Sequence, residues 1–151
     1  MRRTRFDDWS CPIARTTDLV GDWWTPLVMR QAFLGCRRFD DFQTTLGISR
    51  SVLTDRLSRL VDEGLLERRP YDDRPVRHEY RLTDKGRDFW GVLAAMWRWG
   101  QDWTPSDTDP VLVDRHTGER VVPAVVDGRT GVPLDPRSLS LRPADQPGAT
   151  T

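Results

Sequence analysis

Apolar residues recur at helical spacing through the first half of the chain, in four segments separated by glycines. Ser10 with Pro12, Thr25 with Pro26, and Ser49 supply the capping or proline signals that start helices. Glycines stop each periodic run, at positions 21, 35, 47 and 64. The pattern predicts helices over about 10–20, 25–34, 39–46 and 49–63.

The period changes after Gly64. Residues 65–69 are short and strand-like, residues 71–75 have the composition of a turn, and residues 76–82 alternate. These segments predict a β-hairpin, after which Thr83 caps a predicted long helix that reaches about Trp103. Seven residues form one broad side of this helix: Phe89, Val92, Leu93, Met96, Trp97, Gly100 and Trp103.

This order of elements is that of a winged helix, a mainly α fold with a small β wing (α+β). Residues 39–63 supply two amphipathic helices joined by Gly47-Ile48-Ser49, a helix-turn-helix whose second helix can enter the major groove of DNA. That helix turns an apolar stripe of Leu53, Leu57, Leu60 and Val61 inward. The residues that point away from the stripe form a short, polar face rich in hydroxyl groups: Ser51, Thr54, Asp55, Ser58 and Arg59. An ordinary helical hairpin with a solvated face is the alternative.

The predicted hairpin carries arginines on both arms and at its tip, where they are placed to meet phosphates or the minor groove. They are Arg68, Arg69, Arg74 and Arg77.

Several stretches within about residues 9–103 match the motifs of one known group of proteins. They are Cys11–Ala14 with Asp18–Gly21 and Trp24–Thr25, Arg37–Phe42, Ile48–Thr54 with Arg56–Leu57, Leu60–Arg68, and Tyr80–Gly86. Together these stretches resemble the HxlR-type transcriptional regulators of bacteria, relatives of the MarR group.

The resemblance implies a homodimer that forms through the first and last helices and binds DNA operators as a repressor or activator. It places Ser49, Arg50, Ser51 and Thr54 at the positions that read DNA, and Arg74 and Arg77 on the wing.

Charge and composition narrow the classes of protein that the chain can belong to. Its 151 residues suffice for one domain and an appendage, and 23 basic residues balance 23 acidic ones. This balance excludes histone-like basic proteins and acidic tail proteins, so any nucleic-acid site must be a local patch. With neither a membrane-length apolar run nor a signal-peptide pattern, we expect a cytoplasmic protein.

The composition shifts near Trp103, which we take as the boundary of a DNA-binding and dimerisation domain over residues 1–103. Residues 113–118 and 126–131 form a weak internal repeat offset by 13 residues. The repeat resembles the zinc-ribbon-like tail of some HxlR-type regulators, but Thr117, Asp127 and Thr130 stand where cysteines would bind zinc. We therefore expect a small β-hairpin element without metal over 104–142, and a disordered end over 143–151. A tail that is disordered throughout is the alternative.

Two further features are candidates for sensing a signal. Cys11 is predicted in the first turn of a helix, where free backbone amides and Arg15 favour the thiolate, and the resemblance implies a redox-sensing cysteine there. A small buried thiol without reactivity is the alternative. Trp23 beside Trp24 departs from the family pattern, and either packs in the core or dimer, or lines a pocket for a small aromatic effector.

Enzymatic activity is not expected, because the chain has no glycine-rich phosphate loop, no credible pair of catalytic carboxylates and only two histidines. No cofactor is expected either. The alternative to a DNA-binding regulator is a protein-interaction module whose winged helix no longer binds DNA. Salt dependence of DNA affinity distinguishes these two hypotheses.

Overall fold

A computed structural model of the chain describes residue 6, residues 8–73 and residues 76–143. Eight helices and strands follow one another: α1 (Pro12–Val20), α2 (Thr25–Phe33), α3 (Phe39–Leu46), α4 (Arg50–Asp62), β1 (Leu66–Asp73), β2 (Val76–Leu82), α5 (Asp84–Asp88) and α6 (Trp90–Trp103). A short 3-10 turn, Pro136–Ser138, comes later in the chain. The chain divides into two compact units, and the boundary between them falls between Leu93 and Ala94, within α6. The boundary predicted from the sequence, near Trp103, lies at the end of that helix.

The fold is the predicted winged helix-turn-helix. α3 and α4 are joined by a tight turn in which Gly47 adopts a φ of 61°, a left-handed conformation that costs glycine little. β1 and β2 pair in an antiparallel hairpin, the wing. Arg38, just before α3, forms a bridge with Glu79 of β2 and so joins the helix-turn-helix to the wing.

One apolar cluster packs against the buried face of α4, the second helix of the helix-turn-helix, which we call the recognition helix. Phe42 of α3 and Leu53 and Leu57 of α4 are fully buried, and burying each such side chain contributes about 1.5–3 kcal/mol. The other buried members of the cluster come from α2, from α4 and the turn before it, from β1 and the residue before it, from Phe89 and from α6: Val28, Met29, Ala32, Ile48, Leu60, Leu65, Leu66, Phe89 and Leu93. Because the apolar stripe of α4 faces this cluster, the opposite face of the helix is left exposed.

The first two helices start differently from the prediction. Cys11, not Ser10, is the N-cap residue of α1, and no side-chain cap bond forms there among the described residues. At α2 the capping group is Asp22 rather than Thr25, because its Oδ1 accepts hydrogen bonds of 2.9 Å from the backbone N–H groups of Trp24 and Thr25. A carboxylate three residues before the helix thus performs the capping that Thr25 was expected to perform.

The predicted single helix after Thr83 is two helices, because the chain turns tightly at Phe89. The N–H of Phe89 donates to the carbonyl of Gly86, three residues earlier, and the side chain of Phe89 enters the core. Thr83 does cap α5, accepting from the N–H of Gly86. α5 therefore ends at Asp88 and α6 begins at Trp90, on either side of the buried Phe89.

The first strand of the wing is longer than predicted. β1 continues to Asp73, so Tyr71 belongs to the strand and not to the turn. The register shifts between Pro70 and Asp72, which is how the strand accommodates a proline.

The internal repeat forms two turns of the same geometry. Backbone bridges join Val113 to Arg120 and Val126 to Pro133. In each turn an aspartate, Asp114 or Asp127, accepts a hydrogen bond on its side-chain oxygen from the backbone N–H two residues later. Backbone N–H groups of Thr117 and His116 hold the pKa of Asp114 below its ordinary value.

Within the part of the chain that the structure describes, no group of three or more His, Cys, Asp or Glu side chains could hold a metal ion. The same residues include no helix that is long and apolar enough to cross a membrane. Most of the predicted disordered end, residues 144–151, lies outside the described residues.

Candidate DNA-binding surface

The outer face of α4 carries the short polar residues that the sequence placed there. Ser49, Arg50, Ser51, Thr54 and Ser58 are all exposed. The Ser49 side chain caps the helix by accepting a 3.4 Å hydrogen bond from the N–H of Val52. Thr54 Oγ1 donates to the carbonyl of Arg50 at 2.8 Å, which leaves its lone pairs free to accept. This face therefore carries several hydroxyl groups together with Arg50 and the exposed, acidic Asp55.

The wing presents further arginines beside the recognition helix. Arg68 of β1 and Arg77 of β2 are exposed, and Arg68 Nη2 lies 3.0 Å from Nδ1 of the half-buried His78. Arg69 is also exposed but is paired with Glu67 at 2.7 Å. Arg74 lies outside the described residues.

A groove of about 530 Å³ separates the start of α3 and α4 from the wing, and it brings three of the predicted residues together. Arg50, Arg68 and Arg77 all line it. Ser49, Ser51, Thr54 and Ser58 lie outside the groove, further around and along α4. The predicted site is thus divided into a hydroxyl-rich helix face and a groove rich in arginine.

Arg38 and Tyr71 are among the lining residues of this groove that sequence reasoning did not assign to the site. Arg38 brings the number of lining arginines to four, against two aspartates, Asp40 and Asp41, in the first turn of α3. The sequence signal that could have identified Arg38 is the basic pair Arg37-Arg38 directly before the third helix. Tyr71 gave no signal, since it was assigned to a turn.

Two half-buried arginines of α4, Arg56 and Arg59, form ion pairs with aspartates in and just after α1, although Arg59 was expected on the exposed face that points away from the apolar stripe. Arg56 Nη1 lies 3.0 Å from Oδ2 of Asp22, and Arg59 Nη2 lies 3.8 Å from Oδ2 of Asp18. Arg59 also donates to the carbonyl of Asp18. These contacts fix the orientation of the recognition helix relative to α1.

Asp22 is the titratable group that these contacts perturb most clearly. Burial raises its pKa. This effect is outweighed by groups that lower the pKa: the Thr25 hydroxyl, the N–H groups of Thr25 and Trp24, and the charge of Arg56. The net result is a pKa below the ordinary value of 3.8, so the carboxylate form is favoured.

The two cysteines occupy different surroundings. Cys11 is half-buried at the start of α1, where the guanidinium of Arg15 donates to the carbonyl of Trp9 at 2.5 Å. Cys36 is also half-buried, with its Sγ 4.0 Å from Thr45 Oγ1.

Trp23 and Trp24 differ sharply in exposure. Trp23 is 89% exposed, whereas Trp24 packs partly against the core. With Asp22 and Arg56 they line an open recess of about 370 Å³. Packing inside the unit thus accounts for Trp24 and not for Trp23.

Comparison with known proteins identifies the group to which this architecture belongs. An HxlR-like helix-turn-helix family model matches residues 19–108. An uncharacterised HTH-type transcriptional regulator of Mycobacterium tuberculosis is 38% identical over 133 residues, 87% of this chain and 84% of that protein.

Solved structures agree with this relationship. PA1607, a proposed transcription factor, shares 37% identity with a TM-score of 0.83, covering 92% of this chain and 99% of that one. The redox regulator HypR in its reduced form shares 29% identity with a TM-score of 0.57, over 61% of this chain and 92% of its own. The chain belongs to the HxlR-like helix-turn-helix family and is a DNA-binding transcriptional regulator, not an enzyme.

Proposed function

We propose that this regulator binds its operator as a homodimer, with α4 in the major groove and the wing on the flanking backbone. The observation that carries the proposal is the groove in which Arg50 of α4 meets Arg68 and Arg77 of the wing. A cationic concavity beside an exposed polar helix face suits a duplex whose phosphates flank the groove that the helix enters. As a regulator of transcription, the protein would act on DNA in the cytoplasm.

Different residues have different parts in this proposal. Arg50 and Thr54, near the start of α4, would contact base edges, with Ser49, Ser51 and Ser58 along the same face. Arg68, Arg77 and Arg74 would bind phosphates, which position the protein without reading the sequence.

The proposal is tested by titrating DNA from the region upstream of the chain's own gene, alongside a scrambled duplex of equal length. Arg50→Ala should cost about 1–3 kcal/mol on the specific duplex and narrow the difference between the two duplexes. Arg77→Ala should weaken both duplexes alike. Arg30→Ala, which removes an exposed arginine of α2 outside the groove, is the matched control.

Equal affinity of wild type and Arg50→Ala for the specific duplex would refute the assigned role of α4. Affinity that does not fall as salt rises would instead favour the protein-interaction module.

Regulation by oxidants or electrophiles through Cys11 is part of the proposal, supported by its position at the start of α1 and by the similarity to HypR, a redox regulator. Faster alkylation of Cys11 than of Cys36, measured by mass spectrometry, is the expected result. The exposed Trp23 and the recess beside it are the candidate site for a small aromatic effector.

A further inference from the structure

The loop before α3 is fixed to the wing by its backbone. The carbonyl of Arg37 accepts a 2.7 Å hydrogen bond from the N–H of Tyr80, and Arg38 bridges Glu79. Arg38 is also the N-cap residue of α3, with extended dihedral angles. Two elements, the wing strand β2 and the helix α3, therefore determine where the Cα of Arg38 lies.

The side chain of Arg38 is held as well. Its guanidinium carbon lies 4.5 Å from the centre of the Tyr71 ring on β1. Stacking on a ring satisfies one face of the guanidinium and leaves its N–H groups free to donate in the plane. Within the described residues, no ion pair of Arg38 competes for those donors.

Arg50, at the start of α4, is supported by an aromatic ring in the same way. The guanidinium carbon of Arg50 lies 4.8 Å from the centre of the Phe39 ring. Both arginines line the same groove, each on an aromatic support, and Arg38 is adjacent in sequence to the ring that supports Arg50. The groove thus carries a pair of pre-positioned guanidinium groups.

We propose that Arg38 binds a backbone phosphate of duplex DNA and that Tyr71 is its positioning residue. The loop before α3 is then a third DNA contact, in addition to the recognition helix and the outer arginines of the wing. This inference rests on the proposed use of the groove for DNA. Pre-positioning matters because an exposed arginine otherwise loses side-chain entropy when it binds.

The test is the salt dependence of binding, measured by fluorescence anisotropy with the same specific and scrambled duplexes. Each phosphate contact contributes about 0.9 to the slope of log K against log[salt]. Arg38→Ala should lower affinity for both duplexes about fivefold at physiological salt and reduce the slope by about 1. The control is Arg37→Ala, which removes an equal charge at the neighbouring position. The Arg37 side chain is exposed but does not line the groove.

Variants of the supporting ring separate positioning from charge. Tyr71→Leu should weaken binding although Arg38 is still present, and Tyr71→Phe, which keeps the ring, should bind as the wild type does. Circular dichroism melting curves identify any variant that loses its fold, and Arg38→Gln then replaces Arg38→Ala.

Equal losses of DNA affinity for Arg38→Ala and Arg37→Ala would overturn the inference, because the effect would then come from the net charge of the protein and not from a phosphate contact of Arg38. An unchanged slope for Arg38→Ala would overturn it too, while leaving the roles of α4 and the wing intact. Wild-type protein that shows no salt-dependent binding to either duplex would overturn the proposed function itself.

Discussion

Asp22 has two roles at one position. One carboxylate oxygen accepts from two backbone N–H groups at the start of α2, and the other accepts from the Thr25 hydroxyl at 2.5 Å and pairs with Arg56 of α4. Capping the helix satisfies donors that would otherwise lack partners. The same side chain thus stabilises α2 and restrains the recognition helix.

The lowered pKa of Asp22 predicts how stability depends on pH. A carboxyl group with a pKa lower in the folded than in the unfolded state stabilises the fold above its unfolded pKa, and this contribution is lost as the pH falls through the folded pKa. The free energy of unfolding should therefore decrease on acidification below about 3.8, the ordinary value for Asp.

Urea unfolding of wild type and Asp22→Asn over this pH range provides the measurement. Asp22→Asn should depend less on pH, and Asp22→Ala should cost about 1–2 kcal/mol at neutral pH. Asp62→Asn, on an exposed side chain at the end of α4, is the control. Parallel pH profiles for wild type and Asp22→Asn would contradict the prediction.

The candidate site was predictable from sequence where it depends on local periodicity. Leu53, Leu57 and Leu60 mark the buried side of α4, so the exposed positions of Ser51 and Thr54 follow from helical geometry alone. Arg38 was not predictable in the same way, since its place depends on a bridge to a residue about forty positions later, Glu79. Pairing across such a separation leaves no local pattern.

At the level of elements, Gly86 and Gly91 provide a matched pair of helical glycines. A Cβ built on Gly86 would lie 2.0 Å from the carbonyl oxygen of Leu65, at the base of the wing, whereas one on Gly91 would meet nothing within 4 Å. Helical propensity favours alanine over glycine by about 1 kcal/mol at both positions. Packing therefore decides whether a change from glycine to alanine raises or lowers the free energy of unfolding at each position.

We predict that Gly86→Ala destabilises the protein by about 1–3 kcal/mol, because backbone atoms of α5 and the wing must separate. Gly91→Ala should stabilise it by up to about 1 kcal/mol. Thermal and urea unfolding of the two variants test this, and a shift of the same sign in both would count against the close approach.

The helix break at Phe89 shows what local signals miss. Thr83 and the helical period predicted a helix over this whole region, and both α5 and α6 are helical. The turn between them depends on Phe89 entering a core built mainly by α2, α3 and α4. Glycine and serine signals mark helix ends from within the segment, whereas a tertiary contact of this kind does not appear in the segment's own sequence.

At the scale of the whole molecule, no side chain of residues 94–143 is fully buried, although some, such as Trp97, are half-buried. Trp99 is 61% exposed and Trp103 is 72% exposed, and Met96 lies on the same helix half exposed. α1 likewise exposes Ile13. Apolar surface of this extent is typical of an interface between protein chains.

We predict a dimer at micromolar concentration, in keeping with the contact through the first and last helices that the family resemblance implies. Trp99→Glu combined with Trp103→Glu should shift the protein to a monomer in sedimentation velocity, because charges would be placed in the apolar contact. Leu34→Glu, which changes an exposed apolar residue at the end of α2, should leave the dimer intact. A wild-type monomer at this concentration would contradict the prediction.

The two repeated turns after α6 have an evolutionary consequence. Each turn closes through hydrogen bonds to its own aspartate, Asp114 or Asp127, within the described residues. In a zinc ribbon, two cysteine-containing turns bind one shared zinc ion. The loss of a single zinc ligand therefore weakens both turns at once. Turns that each close on their own aspartate can instead be altered, duplicated or lost one at a time.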